Sequence, residues 1–217
     1  RGAGVRASSG ARHVRRRPLR FVRVAAKVAE TIGVEDCLLA GGLAVMAHGF
    51  VRATRDVDLL TRLPLSAARA RLARGGLPTR LLKGDPLEGG FSCLKGTCDG
   101  LPFDVLPQIV PIHWEATVPL PAREARSLRV VPLVDLLALK LKAQGPKDMM
   151  DAAILVLMHP ETEPQARELA TAYGVLDRLE TWLDDPRTRA QVRAELEHEG
   201  GSPREAGRRR GPRAKRS

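Results

Sequence analysis

Three carboxylates and a glycine pair are the residues whose types and spacing could do chemistry in this chain. Asp56 and Asp58 lie one residue apart in Arg55 to Thr61, where Val57 and Leu59 alternate with Asp56, Asp58 and Leu60. The alternation predicts a strand. Residues two apart on a strand share a face, so the two carboxylates point the same way about 6.5 Å apart. Like charges beside an apolar interior are costly to bury unless a cation lies between them. Asp104, in Phe103-Asp104-Val105, is a third acid between apolar residues on another predicted strand. Pairing of the two strands at roughly 4.8 Å would bring the three acids together. Hard oxygen donors suit Mg²⁺ and not zinc, and two such ions about 4 Å apart can activate an attacking hydroxyl and steady a leaving pyrophosphate. Gly41-Gly42 supplies a sharp turn from strand into helix, where backbone N–H groups could cradle a triphosphate.

Basic residues near these groups are secondary candidates. Arg52 and Arg55 flank Thr54 just ahead of the acids. Strand alternation puts Arg55 on the face opposite Asp56, which leaves Arg52 as the better candidate for a base or phosphate contact. Lys140 and Lys142 fall near the end of a predicted helix. Lys140 could reach a triphosphate as a point charge, whereas Lys142 reads as a solvated helix-end charge. Lys147, Asp148 and Asp151 open the next helix and read as structural, with Asp151 pairing Lys147 one turn back. His48, beside Gly49, reads as a helix cap and not a ligand.

The elements that must hold these residues are legible in outline. Pro18 suits the first turn of a helix running to about Thr31-Ile32, ahead of Gly33. A short strand over residues 36–40 ends in the glycine turn, and a helical stretch over 43–48 stops at Gly49. After the strand of Asp56 and Asp58, a helix runs from Pro64 to about Arg74. Strand candidates follow at 78–82, 90–94, 101–106 and 128–131. From Leu133 onward the pattern is helical, with Pro146 opening a second helix and further helices at about 163–173, 175–184 and 187–198. The fold class expected is α+β, a mixed sheet with flanking helices followed by a small helical C-terminal part.

The ordered set resembles the nucleotidyltransferase superfamily with the DNA polymerase β-like core. Ala40-Gly41-Gly42, thirteen residues, Asp56-Val57-Asp58-Leu59 and then Phe103-Asp104-Val105 follow its signature position by position. Within it the chain is similar to the minimal bacterial group that includes AbiEii-type abortive-infection toxins, on the stretches from His48 to Thr54, from Val131 to Lys140 and from Pro146 to Asp151. The resemblance implies Asp56, Asp58 and Asp104 as catalytic residues holding two Mg²⁺, and Gly41, Gly42, Arg52, Thr54 and Lys140 as nucleotide contacts. It also implies transfer of a nucleoside monophosphate from an NTP to a hydroxyl on an RNA end such as tRNA, a protein or a small molecule, and, for a toxin-like member, a cognate antitoxin. Gly145 stands where related sequences commonly carry Arg. That departure points to the alternative, a degenerate core serving as a binding protein, antitoxin or scaffold.

Composition narrows the surroundings. The 217 residues carry a formal net charge of +11. Residues 1–20 hold seven Arg and no acid, and residues 200–217 hold seven Lys or Arg against Glu205, so the remainder between them is at −2. The basicity therefore belongs to two Gly/Ser/Arg-rich ends, expected as solvated tails over residues 1–17 and 199–217 around a sheet domain at 18–131 and a helical part at 132–198. Seven aromatic rings, none close together in sequence, argue against a base-stacking platform. The longest uncharged stretch, Cys37 to Val51, is 15 residues and too short to span a bilayer. The expectation is a cytoplasmic protein without a membrane partner. Cys37, Cys93 and Cys98 form no CxxC pair and read as small core residues.

Overall fold

The computed structural model describes residues 10–84, 91–120 and 128–200. Its centre is a seven-stranded mixed sheet, ordered β3-β4-β5-β2-β1-β7-β6, built from β1 (Cys37–Leu39), β2 (Val57–Thr61), β3 (Thr79–Leu82), β4 (Cys93–Cys98), β5 (Leu101–Pro107), β6 (Val118–Pro119) and β7 (Arg129–Val130). β2 runs parallel to β5 and β1 parallel to β7, while the other neighbours are antiparallel. Helices α1 (Gly10–Ile32) and α3 (Leu65–Arg74) pack on the sheet and on each other, and the short α2 (Gly41–Ala47) packs on β2. The expected α+β class is what the chain adopts.

The C-terminal part is a cluster of five helices, α4 (Leu133–Ala143), α5 (Pro146–Met158), α6 (Glu163–Ala172), α7 (Leu176–Asp184) and α8 (Pro186–Gly200). Helix α5 is its hub, in contact with α4, α6, α7 and α8. Its residues Ala152 to Val156 are all buried, which accounts for a helix apolar on almost every side. One apolar core continues from α1 through the sheet into this cluster, including Ile32, Leu38, Leu60, Phe103, Leu137 and Leu179. Among the described residues no helix is long and apolar enough to cross a membrane. Cys37, Cys93 and Cys98 are buried with free thiols, and burial pushes the Cys37 thiol up to about 12.

Several elements differ from the sequence reading, α8 among them, which runs on to Gly200 and takes in the first two residues of the expected C-terminal tail. Helix α1 begins at Gly10 and not at Pro18, so residues 10–17 of the expected tail are helical. The stretch has no breaker before Pro18 and is rich in Arg, a good helix former. The strand expected at 90–94 is instead Cys93–Cys98. Gly96 is tolerated within the strand because a methyl group there would lie 2.4 Å from the Phe103 ring, so the ring fills the space a side chain would take. Strand β6 has two residues and gave no sequence signal. Residues 1–9 and 201–217 of the expected tails lie outside the described residues.

Candidate active site

The register of the parallel pair β2 and β5 sets Asp58 directly opposite Asp104. Opposed residues on neighbouring strands share a face, so two acids meet side by side. The chain folds this way because Val57, Leu59, Phe103 and Val105 are all fully buried, and a one-residue slip would bury the acids in their place. Asp56 lies two residues before Asp58, in the bend that leads into β2, and its Oδ1 is 3.3 Å from the Thr54 hydroxyl, which donates to it. The glycine turn closes the other side. Gly41, at φ +56°, packs so tightly on Asp58 that a methyl group built on it would lie 1.8 Å from Oδ2, and the Gly42 N–H donates to the Asp58 carboxylate.

The electrostatics follow from that crowding. Burial, reinforced by the charge of Asp56 and, less strongly, Asp104, pushes the Asp58 carboxyl up to about 6; the charge of Lys140 and the Gly42 N–H oppose the rise. Asp104 is engaged by Lys95, its register partner on β4, whose ammonium donates to Oδ2. That hydrogen bond is also the main reason the Lys95 pKa is raised.

Of the basic candidates, Arg52 and Lys140 belong to a buried ion-pair network. Asp151 is fully buried, with Arg52 Nη2 at 2.8 Å and Lys140 Nζ at 2.9 Å, and Lys140 also donates to Asp148 at 2.7 Å. Burial works against the charge of Lys140, but Asp151 and Asp148 outweigh it, so its pKa is raised. The structure thus corrects the expected Asp151–Lys147 pair: Asp151 points into the core, toward α4 and the loop before β2. Arg52 and Thr54 still adjoin the turn, since a methyl group on Gly42 would lie 2.7 Å from Thr54 Oγ1 and 3.1 Å from Arg52 Nη2. Lys142 is exposed in the last turn of α4, as expected, with its Nζ 5.2 Å from the centre of the Tyr173 ring. His48 caps α2 as expected, and its Nε2 lies 2.8 Å from the Val131 carbonyl oxygen.

Arg55 is a second correction. It lines, with Asp56 and Asp104, a cleft of about 610 Å³ that continues over Arg80, Lys95 and Thr97. Alternation misplaced it because β2 begins only at Val57, and the backbone before it bends. Lys95 and Arg80 were missed altogether. A signal existed for Lys95, which follows the buried Leu94 in strand alternation, but it lay just beyond the strand expected to end at Leu94.

The donor set suits a hard divalent cation in type, being three oxygen acids with no sulfur or imidazole. Among the described residues no three His, Cys, Asp or Glu side chains come together to hold a metal ion as they stand. Asp104 is paired with Lys95 and Asp58 with Gly42. The observation that fits a cation is the raised Asp58 carboxyl, whose two acidic neighbours add repulsion that a positive charge would relieve.

No family profile and no curated protein matches the chain. Among solved structures it is similar to JHP933 from Helicobacter pylori, at TM-score 0.39 and 12% identity over 89% of this chain and 94% of that one. It is similar also to a CCA-adding enzyme in complex with ATP, at TM-score 0.39 and 15% identity over 89% of this chain and 55% of that one. A tRNA nucleotidyltransferase complexed with a primer tRNA and an incoming ATP analog gives TM-score 0.35 and 14% identity over 81% of this chain and 60% of that one. With scores and identities this low, the reading of the site rests on its own geometry.

Proposed function

We propose that the chain is a nucleotidyltransferase that moves a nucleoside monophosphate from an NTP to a hydroxyl acceptor. The observation that carries the reading is the side-by-side register of Asp58 and Asp104, with Asp56 in the adjoining bend and the glycine turn packed against Asp58. Asp56, Asp58 and Asp104 would hold Mg²⁺, which when bound supplies positive charge to the triphosphate and the leaving pyrophosphate. Asp56 and Asp104 line the cleft, so an acceptor hydroxyl entering there would be within their reach. The acceptor oxygen bonds to the α-phosphorus, the bridging bond to the β-phosphate breaks, and the hydroxyl proton passes to Asp104. Gly41 and Gly42 form the turn on the nucleotide side with Thr54 beside it, and Arg52 and Lys140 join the neighbourhood of that turn to α4 and α5 through Asp151.

The test is label transfer. Purified protein is incubated with Mg²⁺, each α-labelled NTP and either bulk tRNA or small hydroxylated acceptors. Transfer is expected with at least one pair and is lost on adding EDTA or in Asp58→Asn and Asp104→Asn. Transfer that survives either substitution would falsify the assignment. An AbiEii-like toxin role rests on the same transfer and adds growth arrest on expression, relieved by a cognate antitoxin.

A second reading, a non-catalytic binding protein on the same core, is favoured by one observation: Lys95 already neutralises Asp104. Calorimetric titration of Mg²⁺ in the presence of ATP separates the two. An enzyme binds the ion in a way that Asp56→Ala abolishes, and a scaffold shows no heat that depends on the acids.

A further inference from the structure

The register that joins Asp58 to Asp104 continues across two more strands. Asp104 faces Lys95 on β4, and Lys95 faces Arg80 on β3. Arg80, Lys95, Asp104 and Asp58 therefore form one transverse row on one face of four adjacent strands, spaced by about 5 Å per strand. The row is ordered by charge, with two cations at the β3 edge and two acids toward the glycine turn. Arg55 reaches the same cleft from the bend before β2 and adds a third cation near the acids.

The two guanidinium groups are not used by the fold. Arg55 and Arg80 are exposed, and neither takes part in an ion pair or a side-chain hydrogen bond among the described residues. Their contrast is Arg52 and Arg62, which are each paired with an aspartate. Exposed guanidinium groups that border a cleft and do not neutralise neighbouring acids are matched to a ligand carrying its own negative charge, and their planar forks suit phosphate. The position of the cations then says which phosphate. The nucleotide side of the site is the glycine turn beyond Asp58, at the far end of the row. Phosphates over Lys95, Arg80 and Arg55 would instead belong to the molecule that presents its hydroxyl to Asp104.

We propose that the Arg55, Lys95 and Arg80 side of the cleft binds the phosphodiester backbone of a single-stranded nucleic-acid acceptor, so that its terminal hydroxyl lies at Asp104. The inference rests on the nucleotidyltransferase reading for the meaning of Asp104 and deepens it by naming the acceptor as phosphate-bearing. It also gives Lys95 a second partner. A backbone phosphate drawn to the Lys95 ammonium competes with Asp104 for it, which frees that carboxylate when an acceptor is present.

The test is binding without turnover. The full chain in EDTA is titrated into a fluorescein-labelled single-stranded RNA of about a dozen nucleotides, and anisotropy is followed over a series of salt concentrations. The basic chain ends contribute the same background to every variant. Arg55→Ala/Arg80→Ala is expected to weaken RNA binding and to flatten the log affinity against log salt plot by about 0.7 per arginine removed. Arg55→Lys/Arg80→Lys should restore most of the slope, since charge sets it. ATP affinity, measured separately by calorimetry, is expected to be unchanged. RNA affinity and slope equal to wild type in the alanine variant would overturn the proposal. A loss of ATP binding with RNA binding intact would overturn it too, by giving the cleft to the triphosphate. Because neither readout needs transfer, failure here is distinct from failure of Asp58→Asn to abolish label transfer, which would sink the enzyme reading itself.

Discussion

Gly41 and Asp58 are in such close contact that the glycine has no room for a side chain, with Asp58 Oδ2 1.8 Å from where a methyl group would stand. The turn is also fixed in the left-handed region, at φ +56°. Gly41→Ala therefore meets two penalties, about 1–2 kcal/mol for the backbone and a clash relieved only by moving the carboxylate. The expected outcome is a destabilised chain with label transfer lost. Urea unfolding of Gly41→Ala beside Gly76→Ala checks it, because Gly76 shares the positive φ but has open space around its Cβ position. Equal losses of stability at the two sites would show that the contact with Asp58 has no effect.

Asp58 itself is expected to be a residue the fold would be better without. Its carboxyl is pushed up to about 6 from an ordinary 3.8, mainly by burial. Between those values the folded chain keeps a proton that the unfolded chain releases. Its contribution to stability is thus intact below about pH 4, falls as pH rises toward 6, and is absent at neutral pH. Asp58→Asn removes the titration while keeping an oxygen for the Gly42 N–H. The variant should be more stable than wild type at pH 7, by about 2–3 kcal/mol at most, with the advantage vanishing near pH 4, and should be inactive in transfer. Denaturant midpoints across that pH range measure it. A variant less stable at pH 7 than wild type contradicts the raised carboxyl.

The ion-pair network behind the turn makes the opposite prediction. Asp151 has no exposed side-chain surface and holds both Arg52 and Lys140. Asp151→Ala leaves Arg52 buried without an acid, at a cost of about 3–5 kcal/mol. Lys140 keeps Asp148, so Asp148→Ala should cost clearly less, its side chain being 30% exposed. Arg52 borders Gly42, so Asp151→Ala should also weaken ATP binding. Thermal unfolding and calorimetry of the two variants decide the order.

Local pattern makes the acids and glycines readable in the sequence, because Val57, Leu59, Phe103 and Val105 have to be buried and their neighbours then face the other way. The parallel pairing of β2 with β5 is a long-range choice, and no window of residues contains it. For the same reason helical spacing assigns Asp151 to Lys147, the partner one turn away, when its real partners are 99 residues back on the loop before β2 and on α4. Lys95 and Arg80 escape notice because a lysine or arginine on a strand is ordinary until the register lines it up with Asp104.

That register itself depends on an exchange of volume between Gly96 and Phe103, which are partners across β4 and β5. The Phe103 ring occupies the space a side chain at 96 would need, with Cζ 2.4 Å from a methyl group there, and Phe103 is fully buried. Gly96→Ala should therefore overpack the sheet and cost about 1–3 kcal/mol, even though Ala suits a strand no worse than Gly in general. Phe103→Leu alone leaves a gap and also destabilises. Combined, the smaller side chain makes room for the added methyl, so the double variant should be more stable than the sum of the single losses predicts, by about 0.5–3 kcal/mol. Urea unfolding of the four proteins gives the coupling. Strict additivity would mean that β4 shifts freely relative to β5, in which case Lys95 would not be held opposite Asp104 and the charge-ordered row would lose its support.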